Sequence, residues 1–200
     1  MTIAAIDLTE AMARAVELSQ AVEQPTVVAG ALAMAAHGHR RETSDVDIVL
    51  PVIIGKPSGD VLESAARDLE FTVRAKHGFG GLDLRAGDVR IDVFTLDHDV
   101  PTLVPDAIKE AVASGRKAAL FGQSVFFVSL GHLIAMKLVA EHRKDIVDIV
   151  ELIKVRLEAG KWSDDRSQVL EVVREHLGWY AARTVDTLAA TARSEVGLER

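Results

Sequence analysis

Asp45 and Asp47, two carboxylates with one residue between them, open the apolar run of Asp45–Leu50 at the end of His37-Gly-His-Arg-Arg-Glu-Thr-Ser. Alternate side chains of a strand point the same way, so both acids share a face. Side by side they repel each other unless a proton or a divalent cation intervenes, which is the logic of a Mg²⁺ site serving phosphate chemistry. A third acid is available downstream. In Val89–Leu96, Val89, Ile91 and Val93 face one way while Arg90 and Asp92 face the other. Asp83, on a partner strand over Leu82–Arg85, competes with Asp92 for that role. Asp88 falls in the Ala-Gly-Asp turn between the two strands, where an aspartate is expected for structural reasons. A D-x-D pair taken alone is weak, because aspartates also form turns and caps.

Basic groups that could meet phosphate are few. Arg41, in the loop before the acids, can pair with phosphates, with the site carboxylates or with solvent. Lys137 has Leu133, Ile134, Ala140 and Glu141 as helical neighbours and emerges from a mostly apolar stripe, so it needs a counter-charge or must reach water. Asp145 and Asp148 share a helix face, expected to lie opposite Ile146, Ile149, Val150 and Ile153. Asp145 either complements the helix N-terminus or orients Lys137 or the basic loop. Gly30 and Ala31 offer backbone N–H groups where a strand turns into a helix, a place suited to a triphosphate; Gly30 is equally suited to a tight turn. His77, His98, His132, His142 and His176 show no metal-ligand spacing, and His37 and His39 are poor partners for hard Mg²⁺.

These residues need elements to hold them. A helix is expected at 9–22, capped by Thr9, with Met12, Val16, Leu18 and Val22 on its apolar face and Pro25 stopping it. Thr26–Ala29 reads as a short strand, 31–37 as an Ala-rich helix, and Asp45–Leu50 as a buried strand. Then follow a loop at 51–59, a helix at about 60–69, a strand at Phe71–Arg74, a flexible crossing at 76–81, and the hairpin of Leu82–Arg85 and Val89–Leu96. Short strands or turns at Ala118–Phe121 and Val125–Val128 precede three helices: one capped by Ser129 and running to about Glu141, one from near Lys144 to about Leu157, and one over roughly 163–193. Trp179-Tyr180 is expected to anchor the last of these in the core. The fold class is α+β, a small mixed sheet with flanking helices over 1–128 and a helical part over 129–200.

Composition bounds the rest. Hydrophobic residues make up 48% and charged residues 26%, an ordinary globular balance, while aromatics at 4% weigh against a large base-stacking surface. The net charge of −7 gives no global attraction for a polyanion, leaving His37–Arg41 as the best basic patch. With no cysteine, disulfides, thiolate zinc sites and thiol catalysis are excluded. No leader pattern is visible at the N-terminus, and no apolar run approaches the roughly 20 residues of a membrane span. A cytoplasmic setting without membrane contact is the expectation.

Taken together, a Gly at a strand end, H-G-x-x-R-x-T-x-D-x-D-I, the lone Asp92 on a hairpin strand, L-I-A-M-K-L and K-D-I-V-D-I-V-E-L resemble the nucleotidyltransferase superfamily with a polymerase-β-type palm. Within it they resemble the small bacterial and archaeal abortive-infection-toxin-like and uncharacterised members, over residues 26–155. The resemblance implies a nucleotidyltransferase that moves a nucleoside monophosphate from a nucleoside triphosphate to a hydroxyl acceptor: a protein side chain, a tRNA end or a small molecule. It implies two Mg²⁺ ions on Asp45, Asp47 and Asp92, with Gly30, Ala31, Arg41, Lys137 and Asp145 around the triphosphate. An antitoxin-like partner protein belongs to the same expectation. Where the family has Gly-Gly or Gly-Ser, this chain has Gly30-Ala31, keeping the N–H but lacking a hydroxyl. The rival from another class is a catalytically inactive nucleotide-binding or protein-interaction module on the same fold.

Overall fold

In a computed structural model, residues 8–50, 58–76, 81–95 and 100–198 are described. The loop expected at 51–59 and the crossing at 76–81 fall largely outside them, as do His77 and His98. The chain forms two compact units, one of Met1–Leu32 with Glu42–Val128, the other of Ala33–Arg41 with Ser129–Arg200.

The first unit is α+β. Its strands are β1 (Val27–Val28), β2 (Val46–Val49), β3 (Thr72–Lys76), β4 (Leu82–Ala86), β5 (Val89–Phe94), β6 (Ala118–Leu120) and β7 (Gln123–Phe127), in the order β3-β4-β5-β2-β1-β7-β6. The β2–β5 and β1–β7 pairs are parallel and the others antiparallel. Helix α1 (Leu8–Ala21) buries Ala11, Met12, Ala15 and Leu18 in a core with Ile48, Leu84, Ile91 and Val93 from the sheet. Leu8 is already helical, so Thr9 lies inside the helix and not at its cap; at the other end Glu23 takes a left-handed φ of 56° ahead of Pro25. Helix α3 (Ser58–Asp68) packs on β3 and α1.

Helix α4 (Leu103–Ala113) was not anticipated by the sequence pattern, which Pro101 and Pro105 interrupt. Pro105 stands in its first turn, where a missing N–H breaks no intrahelical bond. Helix α2 (Gly30–Ala36) follows β1 directly and carries the chain from the first unit into the second.

The second unit contains α5 (Leu130–Ala140), α6 (Arg143–Glu158) and α7 (Trp162–Glu195). Ser129 caps α5 by accepting from the His132 N–H at 3.5 Å. Gly178, at φ 82° and ψ 179°, breaks the helical course inside α7. The expected core role of Trp179-Tyr180 is not realised. Just past this break Trp179 is 63% and Tyr180 81% exposed, and Arg183 lies over the Trp179 ring. The buried tryptophan is Trp162, at the start of α7.

Candidate metal centre and buried ion cluster

The acid pair is positioned by β2. Val46 and Ile48 are fully buried on one side of this strand, which leaves Asp45 and Asp47 on the other. Alternation on β5 does the same for Asp92, since Val89, Ile91 and Val93 take the buried side. Parallel pairing sets Asp47 opposite Asp92 in register, and one carboxylate oxygen from each of Asp45, Asp47 and Asp92 lies within 4.8 Å of the others. Asp92 is itself buried. An all-carboxylate donor set of this spacing fits a hard divalent cation, which prefers oxygen ligands.

The shell around the acids is built from the same strands. Thr43 donates a 2.6 Å hydrogen bond to Asp45 Oδ1. The Ala29 N–H donates to the Asp47 carbonyl at 2.9 Å, tying the end of β1 to the strand that carries Asp47. The first residue of α2, Gly30, lies against the Asp47 carboxylate. Ala31 is buried.

Arg90 is the residue that sequence reasoning left out of the site, although its place on the Asp92 face was legible from alternation. Its guanidinium lies 2.9 Å from Asp92 Oδ2, 3.5 Å from Asp45 Oδ2 and 3.8 Å from Asp83 Oδ1. Burial works against this charge, but the carboxylates of Asp92, Asp45 and Asp83 outweigh it and hold the guanidinium above its ordinary pKa. Asp83 also faces Arg85 at 3.7 Å and pairs in register with Asp92 across the β4–β5 hairpin. It flanks the triad and is not part of the cluster of ligand-ready oxygens.

The second unit holds a separate buried ion cluster. Lys137 Nζ donates to Asp145 Oδ1 at 3.0 Å and to Asp148 Oδ2 at 2.6 Å, all three residues being buried. Arg41 Nε reaches Asp148 Oδ1 at 3.2 Å, and His142 Nδ1 lies 3.2 Å from Asp145 Oδ2. The expected opposition of the Asp145/Asp148 face to the apolar face of α6 is therefore corrected. Asp145, Asp148, Ile149, Leu152 and Ile153 are buried together, because Lys137 and Arg41 neutralise the two acids inside the packed side. Asp148, also absent from the expected site set, is the acid that both cations share.

No protein-family model matches the chain, and no curated protein matches it by sequence. Among solved structures, it is similar to ANT(2″)-Ia in complex with adenylyl-2″-tobramycin, at 18% identity and a TM-score of 0.49, over 94% of this chain and 98% of that one. The solution structure of the antibiotic-resistance factor ANT(2″)-Ia is similar at 17% identity and 0.48, over 96% and 94% of the two chains. A candidate nucleotidyltransferase from H. pylori is similar at 13% identity and 0.42, over the whole of both. No helix among the described residues is long and apolar enough to cross a membrane.

Proposed function

We propose that this chain is a nucleotidyltransferase that moves a nucleoside monophosphate from a nucleoside triphosphate to a hydroxyl acceptor and releases pyrophosphate. The observation that carries this reading is the triad of Asp45, Asp47 and Asp92, whose oxygens converge within 4.8 Å from two paired strands. Two Mg²⁺ ions are the cofactors proposed for it. Such ions, when bound, stabilise charge on the attacking and leaving oxygens and lower the pKa of the acceptor hydroxyl. Asp47 and Asp92 supply facing ligands, and Asp45 is oriented towards them by Thr43.

In the first unit, phosphate recognition is assigned to the backbone of Gly30 and Ala31. In the second unit, Lys137 commits two of its three donors to Asp145 and Asp148, in an ion cluster that also holds Arg41. The acceptor is proposed to be a small molecule or protein hydroxyl, since a net charge of −7 opposes a polynucleotide. An antitoxin-like protein is the partner that the toxin-like resemblance proposes.

The test is titration of ATP, GTP, CTP and UTP into the protein with and without Mg²⁺, beside the Asp45→Asn/Asp47→Asn variant. Metal-dependent binding that the double variant loses supports the reading and names the donor base. Binding of no nucleotide under any condition overturns it in favour of an inactive interaction module.

A further inference from the structure

Asp92 pairs in register with Asp47 on one side and Asp83 on the other, so one row of acids crosses three adjacent strands. Arg90 and Arg85 pair in the next row, with Asp45 beside Arg90. Among the described residues, the carboxylates of Asp45, Asp83 and Asp92 meet the guanidiniums of Arg85 and Arg90 on this face, beside Asp47. The geometry of Arg90 is uneven. Only its contact with Asp92 is at hydrogen-bond distance. Those with Asp45 and Asp83, at 3.5 and 3.8 Å, are charge contacts, and its Nε makes no hydrogen bond.

We propose that Arg90 is the resident counter-ion of the carboxylate triad, that it yields oxygens of Asp92 and Asp45 to an entering divalent cation, and that this exchange sets the affinity of the site for the cation. The proposal rests on the metal-binding reading above and deepens it. Without a cation three converging carboxylates, one of them buried, repel each other strongly. Arginine is suited to relieve that repulsion because it stays charged at any working pH. The Arg90 side chain is 29% exposed, so water is within its reach once it leaves the acids. Asp45 Oδ1 is held by Thr43, whereas Oδ2 faces Arg90, so the exchange frees one oxygen while the carboxylate stays oriented. Asp83, which keeps Arg85, accounts for the part of the charge pattern that the exchange leaves unchanged.

The experiment is calorimetric titration of Mn²⁺ into the wild type, Arg90→Gln and Asp92→Asn, with thermal unfolding of each in chelator and in saturating Mn²⁺. Arg90→Gln is expected to bind Mn²⁺ about 5- to 150-fold more tightly, to melt lower in chelator and to gain more from the ion. Equal or weaker binding by a folded Arg90→Gln protein overturns the proposal while the metal site stands, provided Asp92→Asn abolishes wild-type binding. Absence of Mn²⁺ binding in every form overturns the metal reading and this proposal with it. Should Arg90→Gln fail to fold, the wild type decides. The Arg90 Nε–H resonance, assigned by its loss in Arg90→Lys, must shift on saturation with Mg²⁺, and a resonance that stays in place overturns the exchange.

Discussion

The Asp47 carboxylate occupies the space that a side chain on Gly30 would need. A Cβ at Gly30 would fall 1.7 Å from Asp47 Oδ2 and 2.4 Å from its carboxyl carbon. Gly30 also takes a φ of +55°, in the left-handed region. Replacing Gly30 with alanine therefore adds the left-handed backbone cost of about 1–2 kcal/mol and also pushes Asp47 out of the triad. Gly30→Ala is expected to lose Mn²⁺ binding while keeping its far-ultraviolet circular dichroism. Denaturant unfolding and Mn²⁺ titration of the same sample check both halves, and unchanged Mn²⁺ affinity would show that Asp47 does not depend on Gly30.

Lys137 is the cation on which two buried acids depend. Lys137→Met keeps the apolar stem and leaves Asp145 and Asp148 with much less compensation, an effect of about 3–5 kcal/mol for one broken buried pair. Adding Asp145→Asn should restore part of that loss, because one of the stranded charges disappears with it. Arg41, whose side chain is 32% exposed, should matter less, with Arg41→Gln costing about 1 kcal/mol or less. Urea unfolding of Lys137→Met, Asp145→Asn, the double variant and Arg41→Gln reads the coupling, and an additive result for Lys137 and Asp145 would count against a shared cluster.

The two tryptophans should behave as opposites. Trp162 is 1% exposed and Trp179 63%. Trp162→Ala is expected to destabilise by about 3–5 kcal/mol, whereas Trp179→Ala should fall within about 0.5 kcal/mol of the wild type. Acrylamide should quench the fluorescence of Trp162→Phe readily and that of Trp179→Phe poorly. Similar quenching in the two would contradict the observed burial.

The acid triad was legible because strands alternate. D-x-D and the Val89, Ile91, Val93 pattern place all three carboxylates on polar faces before any pairing is known. Alternation alone could not choose Asp92 over Asp83, since both lie on the polar side of one hairpin. What brings the Asp92 carboxylate to Asp45 and Asp47 is β2 pairing with β5, a contact between residues far apart in the chain. Burial of Asp145 and Asp148 was hidden for a related reason. Spacing reads an aspartate as solvated, and only Lys137 and Arg41, arriving from other segments, make a buried acid tolerable. Helix α4 was masked by prolines that a first turn accommodates, and Trp179-Tyr180 faces outward beyond Gly178, where the helical periodicity breaks.

Helix α2 belongs to both units, its first three residues to one and the remainder to the other. No single cut of the polypeptide can therefore release either unit whole. A fragment beginning at Ser129 would carry Asp148 without Arg41 and Val155 without the Gly38 turn that lies against it. One ending at Val128 would trail Ala33–Arg41 stripped of the helices they accompany. Deletion genetics on this protein would report broken pieces of both units, and only two fragments supplied together could reassemble what one cut divides.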